Sequence, residues 1–304
     1  MIEKKRVIAL GFFDGVHIGH AALMERVLEV GHKKNLVPSV ITFDTHPKSL
    51  VDGSAVQLIN SPQDRAGLLR RLFGIDDIII LHFDKSTVSM TWDKFIEHLI
   101  EEFGARHLIA GSDFKFGYGG AGDSKQLAQK CHEAGIGCDI IPDVMYDGVV
   151  SSSTYIRKLL TAGDIERANA FLGHPHVLTD IVRYGYKLGR TLGTPTINMR
   201  FSPGVLVPAF GVYAAKVYLE GTEHGDSDAQ IGVTNIGIRP TVDDSGLVTA
   251  ETHILNFQRN LYGHQVRIEF HKRLRPEVKF ASINELKSQI HKDCQDVLDY
   301  FNKS

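Results

Sequence analysis

Gly11-Phe12-Phe13-Asp14-Gly15-Val16-His17-Ile18-Gly19-His20 decides how the first half of this chain reads. Residues 7–13 form a short apolar run of strand length. Beyond the segment Leu23, Val27 and Val30 mark one face at helical spacing, so a buried strand turns here into an amphipathic helix. Gly11, Gly15 and Gly19 permit tight turns and close backbone approach. The first N–H groups of a helix lack intrahelical partners and lie at the positive end of its dipole, which makes this helix start a place for phosphate. His17 and His20, separated by Ile18 and Gly19, add two imidazoles to that site.

Outward from this segment, the bulk properties set limits. A length of 304 residues favours two domains, each able to bury its own core. With 34 Lys+Arg against 36 Asp+Glu there is no basic excess to hold nucleic acid or an anionic membrane, and a small-molecule substrate is expected instead. Cys131, Cys138 and Cys294 are sparse, odd in number and without CxxC spacing, which argues against a disulfide framework or zinc site and fits a reducing compartment. The basic start before residue 7 imitates a signal peptide, but its apolar run is broken at Gly11 and Asp14 and no small-residue cleavage pattern follows. No stretch approaches the roughly 18 apolar residues of a membrane helix. A cytoplasmic protein is expected, and no oligomeric partner is read from the sequence.

Up to about residue 150, strand-like runs at 7–13, 37–43, 77–83, 107–111 and 138–143 alternate with helical stretches, one opened by Ser61-Pro62-Gln63-Asp64 and another over 92–103. That alternation predicts an α/β domain, a doubly wound Rossmann-like parallel sheet with its ligands at the carboxyl ends of the strands. Two helices follow, at 153–160 and 164–172. Beyond Pro175, β-rich runs at 177–184, 212–219, 230–236, 248–255 and 265–273 predict an antiparallel β-barrel or sandwich, and residues 283–301 read as a closing helix. The boundary falls near 172–178, giving domains 1–174 and 175–304.

Further motifs lie in this frame: Thr42-Phe43-Asp44-Thr45-His46-Pro47, Gly111-Ser112-Asp113-Phe114-Lys115-Phe116-Gly117 and Ser152-Ser153-Thr154-Tyr155-Ile156-Arg157, then Leu188-Gly189-Arg190-Thr191-Leu192-Gly193-Thr194-Pro195-Thr196-Ile197-Asn198, Asn235-Ile236-Gly237-Ile238-Arg239-Pro240-Thr241 and Glu251-Thr252-His253. With the opening segment, the first group resembles the adenylyltransferase half, and the second the riboflavin kinase half, of the bifunctional riboflavin kinase/FAD synthetases. The resemblance implies a nucleotidyltransferase domain followed by a riboflavin kinase-like barrel. It also implies two ATP-consuming reactions, riboflavin to FMN and FMN to FAD, with ATP and Mg²⁺ required for both.

For the first domain it implies an ATP site at Gly11, Phe12, Phe13, Asp14, Gly15, His17, Gly19 and His20, completed by Ser153, Thr154 and Arg157. A phosphate monoester is largely ionised near pH 7, so FMN needs no strong base. His17, His20 and Arg157 are therefore expected to bind phosphates and stabilise charge. Ser152 to Thr154 alone would be an ordinary helix cap, which uses the same donors. His46, Asp113 and Phe116 are the flavin candidates, and Phe116 fits a core position equally well.

For the second domain, the high pKa of the riboflavin hydroxyl calls for a proton-accepting carboxylate, and Glu251 is expected to supply it. Without the flanking pattern it would read as a solvated strand carboxylate. No Walker loop exists in the chain. Gly189, Arg190, Leu192, Gly193 and Thr196 are expected to hold ATP phosphates, with Thr196 and Asn198 orienting Mg²⁺. Thr194, Thr179-Asp180, Tyr184-Gly185-Tyr186 and Asn256 depart from the usual family pattern around this site. Two other readings compete: an FMN adenylyltransferase with a degenerate kinase domain, and a flavin-sensing regulator.

Overall fold

The computed structural model describes residues 4–45, 56–82, 89–184, 193–219, 229–239 and 247–303. The chain folds as two compact units, Met1–Leu58 with Arg65–Ser153, and Ile59–Asp64 with Thr154–Ser304.

In the first unit β1 (Arg6–Leu10), β2 (Val37–Phe43), β3 (Asp77–Leu81), β4 (Ala105–Gly111) and β5 (Gly137–Ile141) form a parallel sheet in the order β3-β2-β1-β4-β5. The order reverses beside β1, so the turn into α1 (Ile18–Lys34) stands at the switch point where open α/β sheets bind ligands. Helices α2 (Pro62–Phe73), α3 (Trp92–Glu101) and α4 (Ser124–Glu133) alternate with the strands. Ile8, Leu10, Ile41, Phe95, Leu99 and Leu108 build a shared core. β1 ends at Leu10, three residues before its apolar run does, because Phe13 takes a left-handed φ of 56° that no strand tolerates. A short hairpin, β6 (Met145–Tyr146) and β7 (Val149–Val150), precedes α5 (Ser153–Ala162).

In the second unit α5 continues into α6 (Ile165–Leu172), which Asp164 caps by accepting from the Arg167 N–H. From Thr154 onward both helices fall in the same compact unit as the barrel strands. β8 (His176–Ile181), β9 (Thr196–Arg200), β10 (Gly211–Leu219), β11 (Gln230–Arg239), β12 (Leu247–Ile254) and β13 (Gln265–Arg275) pair antiparallel in the order β8-β13-β10-β11-β12-β9. The two ends of this sheet meet: the Arg183 N–H donates to the Asn198 carbonyl at 2.9 Å, and the Arg200 N–H to Asp180 Oδ2 at 2.9 Å. Asp180, one of the departures from the family pattern, and Arg183 thus fasten the barrel seam. Asn256, another departure, has φ 55° just past β12, a conformation asparagine accepts more readily than most residues. The closing helix α7 (Ile283–Lys303) buries Val297 against Val212, Ala214 and Val233.

His176 on β8 is fully buried on Phe270, and neither ring nitrogen has a hydrogen-bond partner among the described residues. Burial, with His174 adding repulsion, pushes its pKa down to about 3 from the ordinary 6.5. The folded state therefore resists a proton that the unfolded chain accepts. Stability is complete above pH 6.5 and is lost as pH falls from there toward 3, by up to about 1.4 kcal/mol per pH unit. Urea unfolding at pH 7.5 and 5.5 should show this loss, and His176→Leu should flatten it; an unchanged slope would assign the acid sensitivity elsewhere.

Candidate functional sites

The turn after β1 is strained and held. Phe13, Gly15 and Val16 have φ of 56°, 85° and 43°, and such a conformation costs a non-glycine residue about 1–2 kcal/mol unless its surroundings enforce it. The Phe12 carbonyl accepts from Arg65 Nη1 and Thr42 Oγ1, both at 2.8 Å, and the Asp14 carbonyl accepts from Ser153 Oγ at 2.9 Å. The last of these brings Ser153 to the turn from far along the chain.

His17 is the N-cap of α1, and its side chain makes no capping hydrogen bond. Its ring stacks on that of His20 with centroids 3.6 Å apart, and Phe13 meets His20 edge-on at 5.2 Å. The intervening glycine is a packing requirement, since a Cβ on Gly19 would sit 3.0 Å from the His17 ring. Gly11 likewise makes room for Phe13, whose ring would lie 2.8 Å from its Cβ. Burial, then His17 and Arg65, hold the His20 pKa well below the usual range. The ring is therefore neutral at pH 7, and its buried Nδ1 has no hydrogen-bond partner among the described residues.

Ser153 is the first residue of α5 and Thr154 the second, with Arg157 one turn further along. Asp113 lies just beyond β4, its Oδ1 3.1 Å from where a Cβ on Gly111 would stand. Phe116 is buried in the core against Phe95 and Phe114, with ring centroids 5.7 and 5.4 Å away. His46 lies outside the described residues, as do Gly189, Arg190 and Leu192.

In the second unit β9 and β12 pair so that Glu251 stands opposite Asn198 and His253 opposite Thr196. Directly opposed residues of an antiparallel pair share a face, so these four side chains form one polar patch. Thr252 points the other way, fully buried, its hydroxyl 2.8 Å from that of Thr234. His253 Nδ1–H donates to the Pro195 carbonyl at 2.9 Å, bracing the turn before β9. Asn198 Oδ1 is buried with no hydrogen-bond partner among the described residues, an acceptor left open beside the Glu251 position. Gly193 takes φ 81° at the start of this stretch.

A cavity of about 450 Å³ adjoins Thr196, lined also by Val182, Ile254, Phe257 and Tyr262. Tyr184 stacks on Tyr262 at 4.1 Å. The sequence reading missed this cavity and the residues 257–262, which carry no motif. It also missed Arg65, and it gave Thr42 no role, although polar atoms of both serve carbonyls distant in the chain.

The comparisons with known proteins follow the same division. Residues 1–155 match the family FAD synthetase and residues 172–301 the family Riboflavin kinase. A bifunctional riboflavin kinase/FMN adenylyltransferase of Listeria monocytogenes is 33% identical over 300 residues, covering 98% of this chain and 93% of the relative. One of Bacillus subtilis is 34% identical over 304 residues, covering 99% and 94%. Among solved structures, one named as a macrolide-efflux protein from Streptococcus pneumoniae is 27% identical, with a TM-score of 0.82 over 96% of this chain and 93% of that one.

Proposed function

Since this chain belongs to the bifunctional riboflavin kinase/FMN adenylyltransferase family, we propose that it makes FMN from riboflavin on its barrel and FAD from FMN on its parallel sheet. The observation that carries this reading is that each family match coincides with its own polar site, the imidazole pair at a sheet switch point and the Glu251–Asn198 cross-strand pair on a barrel. The functional halves are taken as 1–174 and 175–304.

In the kinase half, the riboflavin hydroxyl oxygen attacks the γ-phosphorus of ATP, its proton passes to the Glu251 carboxylate, and ADP leaves. Gly189, Arg190, Leu192, Gly193 and Thr196 hold the phosphates. The cavity beside Thr196 receives one of the two substrates. Thr196 and Asn198 fit Mg²⁺, because a threonine hydroxyl and an unclaimed amide oxygen are the hard donors that this ion takes alongside phosphate. When bound there the ion neutralises polyphosphate charge.

In the adenylyltransferase half, a phosphate oxygen of FMN attacks the α-phosphorus of ATP and pyrophosphate departs. The turn from Gly11 to Gly19 holds the triphosphate, with His17 and His20 donating ring N–H bonds to it. Ser153, Thr154 and Arg157 bind its outer oxygens, a role suited to a helix start and a planar fork. His46, Asp113 and Phe116 are assigned to flavin binding; for Phe116 the contribution is a wall backed by the core. The reading includes no nucleic acid or membrane partner, and a cytoplasmic setting suits three cysteines that are free thiols.

A flavin sensor is less favoured, since it needs neither Glu251 nor the imidazole pair. Efflux is not favoured either, as no helix among the described residues is long and apolar enough to cross a membrane. Incubating the chain with riboflavin, ATP and Mg²⁺ and separating the flavins should show FMN and then FAD. Conversion of supplied FMN alone would reduce the reading to its adenylyltransferase half, and no conversion of either flavin would remove it.

A further inference from the structure

Arg65 opens the part of α2 that belongs to the first unit, and the residue is 1% exposed. Nη1 donates to the Phe12 carbonyl at 2.8 Å and Nη2 to the Phe43 carbonyl at 2.7 Å. Its Cζ lies 4.4 Å over the Phe12 ring. One planar fork thus clips together the chain leaving β1 and the chain leaving β2. The first becomes the nucleotide turn; the second continues to Asp44.

Both hydrogen bonds go to neutral carbonyls, and Arg65 makes no ion pair among the described residues. Asp14 and Asp44 act on it only at longer range, and burial draws its pKa down to about 10. A buried cation with so little counter-charge is costly. An apolar residue of like length would fill the same space more cheaply. Its field reaches His20, so the charge stands where polyphosphate would supply the balance.

We propose that Arg65 is a positioning residue for adenylyl transfer, fixing the ends of β1 and β2 together and lending a buried positive charge to the triphosphate held by the turn. The inference rests on the adenylyltransferase reading of the first unit. Thr42 still holds the Phe12 carbonyl when Arg65 is replaced, so the turn keeps one tie.

The test uses the full chain and follows FAD formation from FMN and ATP with Mg²⁺, alongside thermal unfolding. If the parent chain forms no FAD, the underlying reading fails and Arg65 is not at issue. With an active parent, Arg65→Met should lower kcat/KM about a hundredfold while melting no earlier, and Arg65→Lys, which keeps charge without the fork, should recover about tenfold of the loss. Should Arg65→Met fail to fold, Arg65→Lys decides alone, a tenfold fall in kcat at unchanged melting temperature supporting the role. A folded Arg65→Met within threefold of the parent overturns it, as does Arg65→Lys that equals a folded Arg65→Met, or equals the parent where Arg65→Met does not fold.

Discussion

Glu251→Gln should slow FMN formation from riboflavin by about 10²–10⁴-fold, the range for loss of a positioned proton acceptor, while supplied FMN is still turned into FAD. Glutamine keeps the shape and the place opposite Asn198, so Thr196, Asn198 and His253 retain their shared face. What is lost is the carboxylate proposed to take the hydroxyl proton as the new P–O bond forms. The fall should lie in kcat, with the KM for riboflavin little changed. Initial rates of flavin phosphorylation, measured apart from FAD formation, provide the check. Activity within a few-fold of the parent would deprive Glu251 of its role and return it to being an ordinary strand carboxylate.

His20→Ala is the counterpart in the first unit. Removing one positioned donor to developing charge costs about 10²–10³-fold, and here the deletion also takes away the ring on which His17 stacks. FAD formation from FMN should fall by at least that range, and riboflavin should still accumulate as FMN. Because the imidazole is neutral before ATP binds, its contribution is a hydrogen bond. His20→Asn, which keeps an N–H donor, should therefore restore part of the rate. Loss of both activities in a folded variant would refute separate sites, and a variant with parental FAD formation would show the pair to be packing alone.

Much of this was legible in the sequence because the relevant signals are local. β2 runs over 37–43 as its apolar run predicts, and Ser61 caps α2 through its bond from the Asp64 N–H. The turn from Gly11 to His20 could be placed because glycine spacing and a change of period coincide there. Where signals were weak or distant the reading fell short. Helix α4 buries only Leu127 and Cys131, too little to mark a face, although Asp123 and Gln126 form its capping box. The end of β1 was overrun because apolar character persists through Phe12 and Phe13 while the backbone has already turned. In strands of period two Glu251 and His253 share a face, as do Thr196 and Asn198, but only sheet register joins the two pairs. Arg65 had no signal at all: its partners are main-chain oxygens, which no residue pattern reports.

One property of the seam bears on the proposed kinase centre. Asn198 offers its backbone oxygen to Arg183 and so shuts the ring of strands, while its side chain stands across from Glu251. The latch is thus also the residue proposed to serve the kinase site. On the proposed assignment, parting of β8 from β9 would leave the other strand pairs in place and yet open the kinase centre at Asn198.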